Sequence, residues 1–190
     1  MQESVGAGFD LPSLAGRIVE LSSEGGGAAL TLAFSLVLDA QRRGEWAAWV
    51  AAGDGTFFPP DAAAAGADLD ALPVVRVAGA PAGLRAADFL ARSGAFALVV
   101  VDLGADPRVP AAAVARLAGL ARRHAAAILC LTEKPATAPS LSSLVALRAE
   151  ALRERRPDGG FRARLRALRD RRRSPGWVHD ESCEGPEGLA

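Results

Sequence analysis

The chain has 190 residues, half of them hydrophobic, with two cysteines and 22 basic against 22 acidic side chains. That length and apolar content exclude a disordered chain or a disulfide scaffold, and they suit one buried core. The zero formal charge conceals an uneven distribution: ten arginines fall between Arg153 and Arg173, and the closing residues DESCEGPEGLA are acidic. A basic C-terminal third points to an anionic partner, with a solvated strand face as the alternative. No stretch approaches the ~18 apolar residues of a membrane span. The N-terminus has no basic region before an apolar stretch, so no secretory signal is read there and a cytoplasmic protein is expected.

Residues 1–15 read as a lead-in. GRIVEL (16–21) is apolar and β-branched and is followed by glycines, which predicts a buried strand. Apolar residues at helical spacing predict a helix over 30–43, stopped at Gly44. EWAAWVAA (45–52) is the second strand; Trp46 and Trp49, three apart, lie on its opposite faces and are read as core packing, one of them open to exposure. A helix or turn through DAAAAGA leads to a third strand (73–79) and a helix over 81–93, closed by Gly94. AFALVVVDLG (95–104) is the continuous apolar run of a central parallel strand. A helix over 110–125 and a buried strand over 126–132 follow. Strands alternating with helices predict an α/β fold with a parallel sheet.

After Pro139 the pattern changes. LVALRAEALRERR and FRARLRALRDRRR flank the turn residues PDGG, and Phe161, Ala163, Leu165 and Ala167 alternate with Arg162, Arg164 and Arg166. Period two predicts an antiparallel hairpin, with a helical hairpin as the alternative. Residues 16–175 are read as the domain and 176–190 as a flexible acidic tail. Cys130, inside AAAILCLT, reads as a buried thiol and Cys183 as part of the tail. With His124 and His179 isolated, neither a metal site nor a Cys/His dyad is expected.

The glycine turn sits where a phosphate loop would sit. That motif is Gly, four residues, Gly, Lys, then Ser or Thr. Here the register runs through Ser23, Glu24, Gly25, Gly26, Gly27, Ala28, Ala29 and Leu30. The turn itself leaves three readings open: a broken ATPase, an unusual one, or a protein that never used nucleotide. The amides of residues 25–28 would still attract an anion.

GRIVEL, the glycine turn, LTLAFSLVLDAQRRG, DFLARSGAFALVVVDLGA and RALRDRRRSPG resemble, in sequence and order, the core of the RecA recombinase over about residues 5–175. The resemblance implies a RecA-like fold: a mainly parallel central sheet flanked by helices, with a C-terminal antiparallel hairpin. It also exposes departures. Ala29 stands at the phosphate-binding lysine and Leu30 at the metal-binding hydroxyl. Gly53 stands at the water-activating glutamate, with Asp54 beside it, and Thr132 or Glu133 at the amide that senses the γ-phosphate. Only Asp102 keeps a family position, the Walker-B-like carboxylate. Without the lysine and hydroxyl, charge on the triphosphate would go unneutralised. The chain is therefore read as a pseudo-ATPase with no catalytic residues, cofactor or metal.

The two intervals that carry DNA-binding loops in RecA are here a short LGADPRVPA and KPATAPSLSS, whose one basic residue is Lys134. The elements that polymerise RecA are absent from the alignment. This reduced core is similar to the ImuA family, with SulA-type proteins as relatives. The resemblance implies an accessory role in SOS mutagenesis, that is, translesion synthesis after DNA damage. The implied partners are RecA, ImuB and an error-prone C-family DNA polymerase. The alternatives are an atypical RecA-like ATPase using Asp54 and Asp102, and a SulA-type cell-division inhibitor. Arg169 and Arg171 align with the RecA basic pair that reaches a neighbour's nucleotide; with Arg172 they form a candidate docking set, or else solvated arginines. Arg162, Arg164 and Arg166 are candidates for weak, non-specific DNA contact. Phe57 and Phe58, in FFPP, form either an exposed partner anchor or a loop folded on the core.

Overall fold

A computed structural model describes residues 8–25, 27–53, 57–105, 107–157 and 160–183. The chain alternates as the patterning requires: α1 (Leu11–Leu14), β1 (Ile18–Ser23), α2 (Ala29–Arg42), β2 (Trp46–Ala52), α3 (Pro59–Ala64), β3 (Val74–Val77), α4 (Gly79–Ser93), β4 (Phe96–Ala105), α5 (Ala111–His124) and β5 (Ala127–Glu133). Three strands then follow in succession: β6 (Leu147–Arg155), β7 (Phe161–Asp170) and β8 (Val178–Cys183). They form one eight-stranded sheet in the order β3-β2-β4-β5-β1-β6-β7-β8. Every pair from β3 across to β6 is parallel, and β6-β7 and β7-β8 are antiparallel.

The helices divide between the two faces of the sheet. Leu32, Phe34, Leu36 and Val37 of α2 and Ala62 of α3 pack with Leu21, Trp49, Val100, Leu129 and Leu165 on one face. Leu84 and Ala87 of α4 and Leu117 and Ala121 of α5 pack with Ile18, Val50, Val99, Val101 and Ile128 on the other. β4 lies between β2 and β5 and is covered on both sides, which is why its sequence is an unbroken apolar run. The small residues of α4 and α5 let the helices approach the sheet closely. At Gly83 an added Cβ would stand 2.8 Å from the Ala52 methyl.

The lead-in is part of this core. Asp10 caps α1 by accepting a hydrogen bond from Ser13 N at 2.8 Å, and Phe9, Leu11 and Leu14 are buried. Below the amino ends of the parallel strands, Arg17 and Asp170 form a buried ion pair. Asp170 also accepts from Arg172 N (2.9 Å) and Trp177 Nε1 (3.1 Å). These donors outweigh the desolvation that opposes ionisation, and they hold the Asp170 carboxyl below its usual range.

One expectation is corrected. The region beyond Pro175 is not a loose tail over its described part, because residues 178–183 form β8, paired with β7 from Arg166↔Val178 to Phe161↔Cys183. Its core-facing side is polar and is fixed by specific partners. Glu181 accepts a hydrogen bond from Ser35 of α2 and lies 2.9 Å from His179 Nε2, and Phe9 packs against the His179 ring. Cys183 accordingly lies in a strand, half-buried, and not in a tail. The hairpin is built of strands, so the helical alternative for residues 147–170 does not hold.

Candidate functional site at the carboxyl edge of the sheet

β2 leaves the sheet toward α3 on one face, while its neighbour β4 leaves toward α5 on the other. In open α/β sheets ligands bind where connections diverge in this way, outside the carboxyl ends of the strands. The glycine turn between β1 and α2 lies at this edge. Gly25 is exposed and left-handed (φ 56°). Gly27 threads between Ser23 and β6: a Cβ there would lie 2.6 Å from both Ala151 O and Ser23 Cβ. Ala28 and Ala29 are buried at 2% and 6% exposure, and Leu30 packs on the core. The residues at the lysine and hydroxyl positions therefore serve packing. Gly26 lies outside the described residues, as does Asp54.

Asp102 projects from β4 on the α2 face of this edge, the face it shares with Ser23 and Ala29. It is 5% exposed, and one of its contacts is a hydrogen bond from Gly104 N at 3.3 Å, so the carboxylate braces the irregular end of its own strand, where the register with β5 shifts. Gly53 closes β2 with φ 78°. Thr132 is buried on the opposite face, where its hydroxyl lies 3.5 Å from Glu20 Oε1, and Glu133 is exposed. The geometry thus groups Ser23, Ala28, Ala29 and Asp102 on one side of the edge and separates Thr132 from them.

The largest departure from the sequence reading concerns residues 134–146, the strap that links β5 to β6. It lies on the α4/α5 face and is tied down from beneath and from the side. Glu20, in the middle of β1, is fully buried. It accepts from Ser140 Oγ (2.7 Å) and Leu141 N (2.9 Å) and pairs with Lys134. Arg148, its register partner on β6, donates to the carbonyls of Ala138, Pro135 (3.2 Å) and Ala136 (3.4 Å). Arg169 donates to Val145 O (3.0 Å) and Ser142 O (3.3 Å), and Arg171 to Ser143 O. Backbone acceptors that no strand satisfies are thus met by guanidinium donors. Lys134, the one cation of the strap sequence, is held inward by Glu20. Glu20 could have been noticed as a charge inside an apolar strand; its partners, more than a hundred residues away, could not.

The other arginines are also engaged. Arg172 donates to Ser13 O (3.1 Å) and Ala15 O (3.3 Å), joining β7 to the lead-in. On the helix-free face of β6-β7-β8, Arg164 holds Asp180 in a two-pronged contact (2.7 and 2.8 Å) and also reaches Glu154 (2.9 Å). Arg166 pairs with Glu150, and Arg162 stands 3.8 Å from Asp180. Arg164's hydrogen bonds, aided by the charges of Arg162 and His179, hold the Asp180 carboxyl below its usual range despite partial burial. The row of arginines is largely neutralised by carboxylates on the flanking strands, which leaves less positive field for phosphates than the alternation alone suggests.

The aromatic motif splits. Phe57 is 5% exposed and packs against Phe34 and Trp49 (ring centroids 6.0 and 5.1 Å), whereas Phe58 is 56% exposed. Phe57 is thus folded onto the core, while Phe58 is exposed. Trp46 and Trp49 divide in the same way, at 56% and 0% exposure. Cys130 is buried as expected, and burial, with Glu20 nearby, pushes its thiol up to about 12 despite the opposing charge of Lys134. At the opposite end of the strands, Leu11, Pro12, Arg43, Glu45, Ala97 and Ala125 help to line a shallow depression of about 300 Å³. No helix among the described residues is long and apolar enough to cross a membrane.

These features define an α/β protein with an eight-stranded, mostly parallel sheet and a tightly packed glycine turn at its carboxyl edge. A family model described as the MT3502 N-terminal domain matches residues 11–136, and the chain belongs to that family. The match runs from α1 into the strap and leaves the antiparallel unit β6-β7-β8 outside it. No curated protein matches the chain.

Proposed function

We propose that this chain is a RecA-like accessory protein without ATPase activity, of the ImuA type, that works in SOS mutagenesis through contacts with RecA, ImuB and an error-prone C-family polymerase. The observation that carries the proposal is the packing of the glycine turn. Ala29 and Leu30 are committed to the core at the positions where a nucleotide-hydrolysing relative would present a cation and a metal ligand. Asp102 braces the register shift near the end of its own strand on the same edge, a structural use for the one family position that remains. The pinned strap supports the same reading. The interval that is a DNA-holding loop in the recombinase is here bonded to Glu20, Arg148, Arg169 and Arg171.

Because no described residue of the glycine turn is a cation, the protein's contribution is read as its surface. Candidates are the exposed Phe58 beside the edge and the arginine-rich C-terminal unit. The test is a set of pull-downs with the purified chain as bait against RecA, ImuB, the C-family polymerase and the division tubulin. Capture of RecA or ImuB is expected. Capture of the division tubulin alone would replace this reading with that of a SulA-type inhibitor.

A further inference from the structure

β6 outruns the parallel sheet. Its last residue paired with β1 is Glu150, opposite Ser22, yet it continues to Arg155 beside β7, whose outer neighbour is β8. Residues 152–155, 161–164 and 180–183 therefore form a three-stranded ribbon that runs about 13 Å beyond the pairing of β6 with β1, at about 3.3 Å per residue, and Glu181 ties it to Ser35 of α2.

The charge on this ribbon differs from the compensated row nearer the sheet. Arg153 and Arg155 are exposed, and neither pairs with a carboxylate among the described residues. Arg162 has only the 3.8 Å approach to Asp180, whose two oxygens are already held by Arg164. Arg153 lies over the Phe161 ring, with its guanidinium carbon 4.2 Å from the ring centroid. The ring holds the guanidinium in place and leaves the residue open to solvent.

A planar cation held against a ring is a platform for a nucleobase, because unstacked bases pair with guanidinium planes as well as with aromatic rings. Carboxylates of an acidic peptide would use the charges but not the plane. We infer that the ribbon binds single-stranded nucleic acid on the face that Arg153 and Arg155 share, with one base stacked on Arg153 and a backbone phosphate meeting Arg155. This inference stands on the ribbon alone and is independent of the role proposed above.

The test uses the full chain and a fluorescein-labelled oligodeoxythymidine of about 16 nucleotides, the upper range of a single-strand site. Anisotropy is measured across a series of salt concentrations. Binding is expected at low salt, with log K falling with log salt at a slope of about −0.7 for one phosphate on a single strand. Arg153→Ala should weaken binding about tenfold with little change in slope, as removal of a stacking partner does. Arg155→Gln should make the slope shallower by about 0.7. Arg123→Gln, an exposed charge on α5, should alter neither. All three sites are exposed, and a thermal melt by circular dichroism checks that each variant is folded. No binding by the wild-type chain would overturn the inference, as would Arg153→Ala binding like wild type. Displacement of the oligonucleotide by poly-L-glutamate at equal charge concentration would overturn it in favour of an acidic polypeptide partner.

Discussion

Replacing Glu20 by alanine removes the acceptor on which the strap rests. Three close donors lose their partner together, the Leu141 N–H, the Ser140 hydroxyl and the Lys134 ammonium, and the Thr132 hydroxyl loses a longer contact of 3.5 Å. A donor left unsatisfied on burial costs about 1–3 kcal/mol. Ser140 and Leu141 are only partly covered and Lys134 keeps Pro139 O as an acceptor at 2.7 Å, so about 1 kcal/mol each is the appropriate figure. The sum, about 3 kcal/mol, agrees with the cost of breaking a buried ion pair from one side. The loss should be local first, because Arg148, Arg169 and Arg171 hold the strap chiefly through its carbonyls. Hydrogen exchange at the Leu141 amide should accelerate by about a hundredfold, the factor that corresponds to about 3 kcal/mol, while Ile128 and Leu129 in the core of β5 exchange as before. A urea denaturation curve should show the same loss if strap and sheet unfold together. Glu20→Ala with unchanged exchange at Leu141 and stability within about 0.5 kcal/mol of wild type would refute the account of the strap.

Further outcomes follow from other parts of the structure. Asp170 has a folded-state pKa below its unfolded value of 3.8, so its stabilising contribution is complete above that value and is lost as pH falls through the folded pKa. Asp170→Asn should therefore cost about 3 kcal/mol near neutral pH, and the gap from wild type in denaturation experiments should close in strong acid. Gly27→Ala forces a methyl into the space beside Ala151 O and Ser23 and should destabilise by about 2 kcal/mol. Gly119→Ala, in α5 where an added Cβ meets nothing within 4 Å, should stabilise by about 0.5–1 kcal/mol; thermal melts measure both. The Cys130 thiol, raised to about 12 by burial, should resist iodoacetamide at pH 8 until the protein unfolds, as mass spectrometry of the alkylated peptide would report.

The elements that were legible in the sequence are those whose pattern is local. The apolar run of β4, the period two of β7 and the glycines that close α2 and α4 each declare themselves within a dozen residues. β8 does not, because VHDESC has no apolar alternation; its inward residues are fixed by Phe9 and Ser35, far away in the chain. The glycine turn was recognisable from spacing, and the identities of Ala29 and Leu30 already argued against phosphate chemistry. What spacing could not reveal was the use to which the charges are put. The alternation of Arg162, Arg164 and Arg166 was visible, but their neutralisers Glu150, Glu154 and Asp180 come from strands whose register only the folded sheet defines. Arg169 and Arg171 read as a docking pair, and the fold sets them against the carbonyls of a strap that the sequence presents as a bare loop.

The central claim, that the carboxyl edge no longer performs nucleotide chemistry, is tested most directly by ATP turnover of the purified chain, measured with magnesium beside an Asp102→Asn variant. The account predicts phosphate release at background for both proteins. Turnover by the wild-type chain that disappears in Asp102→Asn would contradict it and would make Asp102 the metal ligand of a working site.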